Sequence, residues 1–154
     1  MSNRTISGNI PGAALVPGIA GLIPFVCGAA AQWVSLPLLT AETGLKLAIL
    51  YGAIILSFLG GIRWGTAIRP YDQGRQTLEF PASVLGSLAG LAAAFLPPIP
   101  ALALLIAGFL MQALWDVMSV DAGRLPSWFG RLRMMLTAGA VVSLIAALLA
   151  VIVT

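Results

Sequence analysis

Charge falls along this chain in short islands separated by long apolar runs. Residues 5–41, 47–62, 80–115 and 134–154 contain no Asp, Glu, Lys or Arg. About 20 residues of helix cross a hydrocarbon core, so runs of this kind read as bilayer spans rather than as buried helices of a soluble core. The pattern predicts an all-α polytopic membrane protein with five transmembrane helices, over about 12–36, 46–68, 81–96, 101–118 and 134–153, in one transmembrane domain covering 1–154.

Proline sets the finer divisions. Pro24 falls inside the first span and should kink it, because it lacks the N–H that an inner helical position donates. Pro97, Pro98 and Pro100 in "FLPPIP" split the long third run into two helices. Each half is near the short end for a span, which leaves a re-entrant hairpin as the alternative. Two full spans are favoured, since a charged segment flanks each half. Those segments, "RPYDQGRQTLEF" (69–80) and "DAGRLPSWFGRLR" (121–133), read as an aqueous loop and an interfacial one, with Pro70 and Gly74 marking turns in the first. Trp128 and Phe129 would sit at headgroup level, and Trp33 and Tyr51 read as further interface anchors.

Five spans place the N-terminus, the 69–80 segment and the 121–133 segment on one side. That side holds Arg4, Arg69, Arg75, Arg124, Arg131 and Arg133, against Lys46 on the other. The imbalance predicts N-in, C-out, with the inside being the cytoplasm if the chain is bacterial.

Composition agrees with the pattern: 60% of the 154 residues are hydrophobic and 8% are charged, far below the soluble norm of roughly a quarter. The net charge of +3 flanks apolar runs, so lipid headgroups explain it, and no nucleic-acid partner is expected. The N-terminus has the small-residue run Ala29–Ala31 of a signal-peptide cleavage site, but its apolar stretch is too long and proline-rich, so an uncleaved span is expected. Cys27 stands alone and reads as a small buried hydrophobe. The chain has no histidine, which removes imidazole-based triads, haem ligation and most catalytic zinc sites built from it. No metal or cofactor is expected.

A few polar residues interrupt the spans. Arg63, in "FLGGIRWG", lies six residues before Arg69, roughly 9 Å deeper along a helix. At that depth an arginine can snorkel, with Trp64 as its interfacial neighbour. Asp116 falls at matching depth in the fourth span, and the favoured reading is an Arg63–Asp116 pair. Gln112 shares the face of Asp116 and, with Ser57 or Trp115, would extend the pair into a polar network. Gly61 and Gly65 form a GxxxG beside Gly60, and Gly86 and Gly90 form another; such spacings let helix backbones approach closely. Gly139 and Ser143 fit the same logic on the last span. Glu42, Asp72, Glu79 and Asp121 read as solvated charges at loops or edges.

"YGAIILSFLGGIRWG" (51–65) and "LMQALWD" (110–116) resemble a small bacterial inner-membrane family of unknown function related to mitochondrial transmembrane protein 69. The resemblance covers nearly the whole chain. It implies a polytopic inner-membrane protein and assigns no activity. Where some members of that family carry histidine before Trp-Gly, this chain has Arg63, which argues against an obligate imidazole there.

The sequence therefore favours a non-enzymatic accessory or assembly component in the lipid bilayer, bound to another membrane protein or to itself. One alternative is a transporter or channel subunit for a small solute that uses Arg63 and Asp116. The weakest is a membrane enzyme acting on lipid or quinone, for which Arg63, Asp116 and Ser57 specify no known chemistry.

Overall fold

The computed structural model describes residues 9–34, 36–68 and 73–153, with the side chains of 73–75 excluded. Arg4, Ser35, Arg69, Pro70 and Asp72 lie outside the described residues. The described residues form six helices: α1 Gly12–Ala20, α2 Ile23–Ala30, α3 Ala41–Ala67, α4 Gln73–Phe95, α5 Pro98–Asp121 and α6 Ser127–Val153. Helices α1 and α2 together make one apolar stretch of 19 residues, so among the described residues five helical segments are long and apolar enough to cross a membrane.

Local chemistry explains the boundaries. The first span breaks at Gly21–Leu22, just before Pro24, which has no N–H to offer the carbonyl of Ala20. Thr40 caps α3, its hydroxyl accepting from Thr43 N–H at 3.2 Å. Pro97 and Pro98 occupy the N-cap and first position of α5, where a missing N–H costs nothing. After α5 the chain reverses through Gly123, whose φ of +71° suits glycine, and the N–H of Arg124 reaches back to Ser119 O at 2.9 Å.

Several boundaries differ from the sequence expectation. The first span ends at Ala30 rather than near 36, α3 starts at Ala41 rather than near 46, and the two largest differences are at the starts of α4 and α6. Residues 73–80 are helical, so α4 starts eight residues before Pro81 and carries that proline inside. Likewise α6 begins at Ser127 and takes Trp128, Phe129, Arg131 and Arg133 into its first two turns. Helices α4 and α5 have 23 and 24 residues, about 35 Å each at 1.5 Å per residue, which is the length of two full spans and not of a re-entrant hairpin.

Contacts fix the relative directions. Along α3 and α4 the close approaches run Gly60–Ser83, Leu56–Gly86 and Ala53–Gly90, an antiparallel pair. Gly52–Leu105, Leu56–Gly108 and Arg63–Gln112 make α3 and α5 parallel. Gly18–Leu136 and Leu22–Gly139 make the first span and α6 parallel, as five alternating crossings require. Phe25, Leu56, Leu102, Leu105, Phe109 and Leu144 are fully buried at the centre. Phe25 meets Tyr51 and Phe109 edge to face at 5.1 and 5.7 Å. Tyr51 is thus a half-buried core residue in mid-helix rather than an interface anchor. Large apolar side chains such as Leu50, Ile54, Leu88 and Val142 face outward, the arrangement a lipid solvent allows.

Candidate functional site

At the end of the bundle where α3 and α5 finish and α4 and α6 begin, each of these four helices turns one charged side chain inward. Arg63, Glu79, Asp116 and Arg133 are all buried, with 6–8% of each residue exposed. Arg63 and Asp116 each lie within electrostatic reach of the other three. Two positive and two negative groups make the cluster formally neutral.

The pairing is not the expected one. Arg63 Nη2 donates to Gln112 Oε1 at 2.6 Å, and its guanidinium lies 4.1 Å from the ring centre of Trp115. Asp116 is instead ion-paired to Arg133, whose Nε sits 2.7 Å from Asp116 Oδ2. The two opposite charges are in direct contact inside the bundle. Arg63 and Asp116 therefore belong to one cluster through Gln112 and through their fields, without direct pairing. Ser57 lies outside it: its hydroxyl meets that of Ser87 at 2.8 Å, between α3 and α4.

Glu79 and Arg133 were missed because they sit in segments that read as loops. Their helical phase carries the signal. Glu79, Ser83, Gly86 and Gly90 follow one another by four, three and four residues and are all buried. Arg133, Thr137, Ala140 and Leu144 repeat that spacing, as do Asp116, Gln112, Phe109 and Leu105 read backwards. A charge on such a stripe faces the neighbouring helices whatever island it occupies in the sequence.

The glycines divide by face. A Cβ at Gly60 would collide with Ser83 O, at Gly86 it would lie 2.8 Å from Leu56 O, and at Gly90 2.7 Å from Ala53 O. These three bring α3 and α4 backbone to backbone. Gly61 and Gly65, by contrast, have open space where a Cβ would stand, so their GxxxG does not pack within the bundle. Backbone polar groups are closed locally: Gln76 Nε2 donates to Ala67 O at 3.0 Å, across the α3–α4 connection, and Thr66 Oγ1 to Arg63 O at 2.8 Å.

Residues 10–149 match a family described as a protein of unknown function (DUF3429). The chain belongs to that family. Transmembrane protein 69 of Xenopus tropicalis is 40% identical over 151 residues, a match that takes in 90% of this chain and 54% of that relative. The chain thus spans about half the length of the relative it matches. No solved structure matches. Within this DUF3429 chain the two sequence motifs, 51–65 and 110–116, are the segments that meet at the Arg63–Gln112 hydrogen bond.

Two recesses flank the cluster. One of about 210 Å³ lies among α3, α4 and α5, lined by Arg63, Gln112 and Trp115. The other, about 380 Å³, lies among α1, α2, α3, α5 and α6, and Arg133 and Thr137 reach its wall. Among the described residues no group of three His, Cys, Asp or Glu side chains is assembled for a metal. Asp116 has its counter-ion, the guanidinium of Arg133, at 2.7 Å inside the bundle.

Proposed function

We propose that this integral membrane protein is a non-enzymatic accessory or assembly component of a bacterial inner membrane, oriented N-in and C-out. The observation that carries the reading is the inward, self-neutralising cluster of Arg63, Glu79, Asp116 and Arg133, with one charge from each of α3, α4, α5 and α6. Such a cluster ties four spans into one arrangement and spends its charge inside the bundle. The outer surface is left as the working face, and on α3 it includes the open, exposed Gly61 and Gly65. The orientation rests on the arginine imbalance. With Arg133 committed to Asp116, five arginines still oppose Lys46.

The test is purification of the tagged chain in mild detergent, with mass spectrometry of co-purifying proteins and native mass spectrometry for self-association. A defined partner or oligomer that is lost on Gly61→Leu with Gly65→Leu is expected. A monomer without partner under crosslinking refutes the reading. Impermeant labelling of single cysteines at Lys46 and Arg124, in a Cys27→Ala background, tests the orientation. Arg124 is expected to be shielded in intact cells.

A second reading, a transporter or channel subunit for a small solute, is favoured by the 210 Å³ recess beside Arg63, whose buried Nε has no hydrogen-bond partner. It requires cysteines at Ala82, Ala89 and Met111 to react with a small aqueous reagent, and unreactive positions refute it.

A further inference from the structure

The larger recess has the composition of a ligand site. Its volume of about 380 Å³ is within the usual range for small-molecule pockets. Its walls are apolar side chains such as Phe25, Leu136 and Phe129, with three polar side chains among them: Tyr51, Arg133 and Thr137. Two of these are unsatisfied. Arg133 Nη2 and Thr137 Oγ1 are both buried and neither has a hydrogen-bond partner. Arg133 and Thr137, 6% and 4% exposed, stand one turn apart on α6 and share this wall. Buried donors without partners are rare in folded proteins and ask for an acceptor.

Three observations specify the acceptor. The remaining walls are apolar, so water could be held near Arg133 and Thr137 but not across the whole space. Arg133 is already ion-paired to Asp116 and the four-charge cluster sums to zero, so an anionic ligand would leave the site with uncompensated negative charge. A neutral oxygen acceptor satisfies both donors without that cost. The wall formed by α1 has no buried residue and rests on α6 through Gly18 against Leu136, so it is the least anchored side and opens toward the acyl chains.

The geometry points to this recess as a binding site for a neutral, lipid-soluble carbonyl compound, its carbonyl oxygen accepting from Arg133 Nη2 and Thr137 Oγ1 and its apolar body filling the space toward Phe25. Two membrane sources offer that chemistry: the ring of an alkylated quinone and the acyl ester of a neutral glyceride.

The full chain is reconstituted in nanodiscs of diether phosphatidylcholine, which contributes no ester carbonyl, and its thermal unfolding is followed against decyl-benzoquinone, dioctanoylglycerol and decanoate. Saturable stabilisation by decyl-benzoquinone or by dioctanoylglycerol, over that of a membrane protein lacking the recess, is expected, and the probe that saturates identifies the source. Thr137→Val keeps the shape of the side chain and removes one donor. It is expected to raise the half-saturating concentration about tenfold while leaving the ligand-free protein as stable or more so. Leu136→Trp, on a half-buried position, fills the recess and is expected to abolish the effect. No saturable response to either neutral probe, a response to decanoate alone, or equal responses in both variants overturns the assignment.

Discussion

Replacing Asp116 with Asn tests whether the charge cluster holds the bundle together. The substitution keeps size and shape and removes the negative charge facing Arg133. Arg133 Nε and Asp116 Oδ2 are 2.7 Å apart, with side chains 7% and 11% exposed. At an effective dielectric of about 20, opposite charges at that separation attract by about 6 kcal/mol, and desolvation of both ions opposes this. Removing one ion leaves the other desolvated, so the single substitution should destabilise by about 3–5 kcal/mol. The lower end is expected here, because Arg133 lies six residues from the start of α6, roughly 9 Å, and its stem can snorkel part of that way. Asp116→Leu combined with Arg133→Met removes both ions and should fall within about 1 kcal/mol of the unchanged chain. Unfolding by SDS titration in mixed micelles, followed by circular dichroism, measures Asp116→Asn beside the four corners of the cycle: the unchanged chain, Asp116→Leu, Arg133→Met and their double variant. A cost below about 1 kcal/mol for Asp116→Asn, or a double variant equal to the sum of the singles, would refute the reasoning.

Other perturbations separate the remaining parts. Gly60→Ala should prevent α3 and α4 from seating, because its Cβ runs into Ser83 O, whereas Gly61→Ala and Gly65→Ala should be tolerated or stabilise by up to about 1 kcal/mol each through helix propensity; detergent size-exclusion melting distinguishes them. Gln112→Leu removes the acceptor of Arg63 Nη2 and should cost about 1–3 kcal/mol in the same SDS titration, while Gln112→Glu keeps an acceptor and should cost less. Trp115→Leu should cost about 1–2 kcal/mol and Trp115→Phe less, since phenylalanine still presents a ring face to Arg63. Trp33→Phe loses the bond from Nε1 to Ala146 O, 3.1 Å, and should loosen the first span from α6 by about 1 kcal/mol, read as faster amide exchange there.

The spans were legible because hydrocarbon length sets the length of an apolar run, and proline showed where two of them divide. The helix ends were less legible. Residues 73–80 and 127–133 carry the polar and charged side chains of loops, yet both are helical, since one face of each turns toward the bundle. Arg63, Gln112 and Asp116 announced themselves by interrupting uncharged runs. Arg133 did not, because Arg131 beside it is exposed and the two look alike in a list of residues. Which carboxylate meets which arginine depends on the rotation of each helix about its axis. Composition carries little of that, and the four-three-four spacing of the buried stripes carries most of it. Gly61 and Gly65 mark the opposite error, in which a packing motif turned to the outside.

The placement of the four charges also bears on the order in which the chain is made. Arg63 enters the bilayer with α3, but Gln112 arrives with α5, 49 residues later, and the counter-ion of Asp116 arrives with α6. Every charge of the cluster lies within about two turns of the same edge of the bundle, so each can wait at the headgroups rather than in hydrocarbon. Translation arrested before α6 is therefore expected to leave α5 inserted but protease-sensitive, and full protection at that stage would contradict this order. In this order α6 is the helix that supplies the counter-ion of Asp116, and its arrival is what would let charges parked at the rim move inward together.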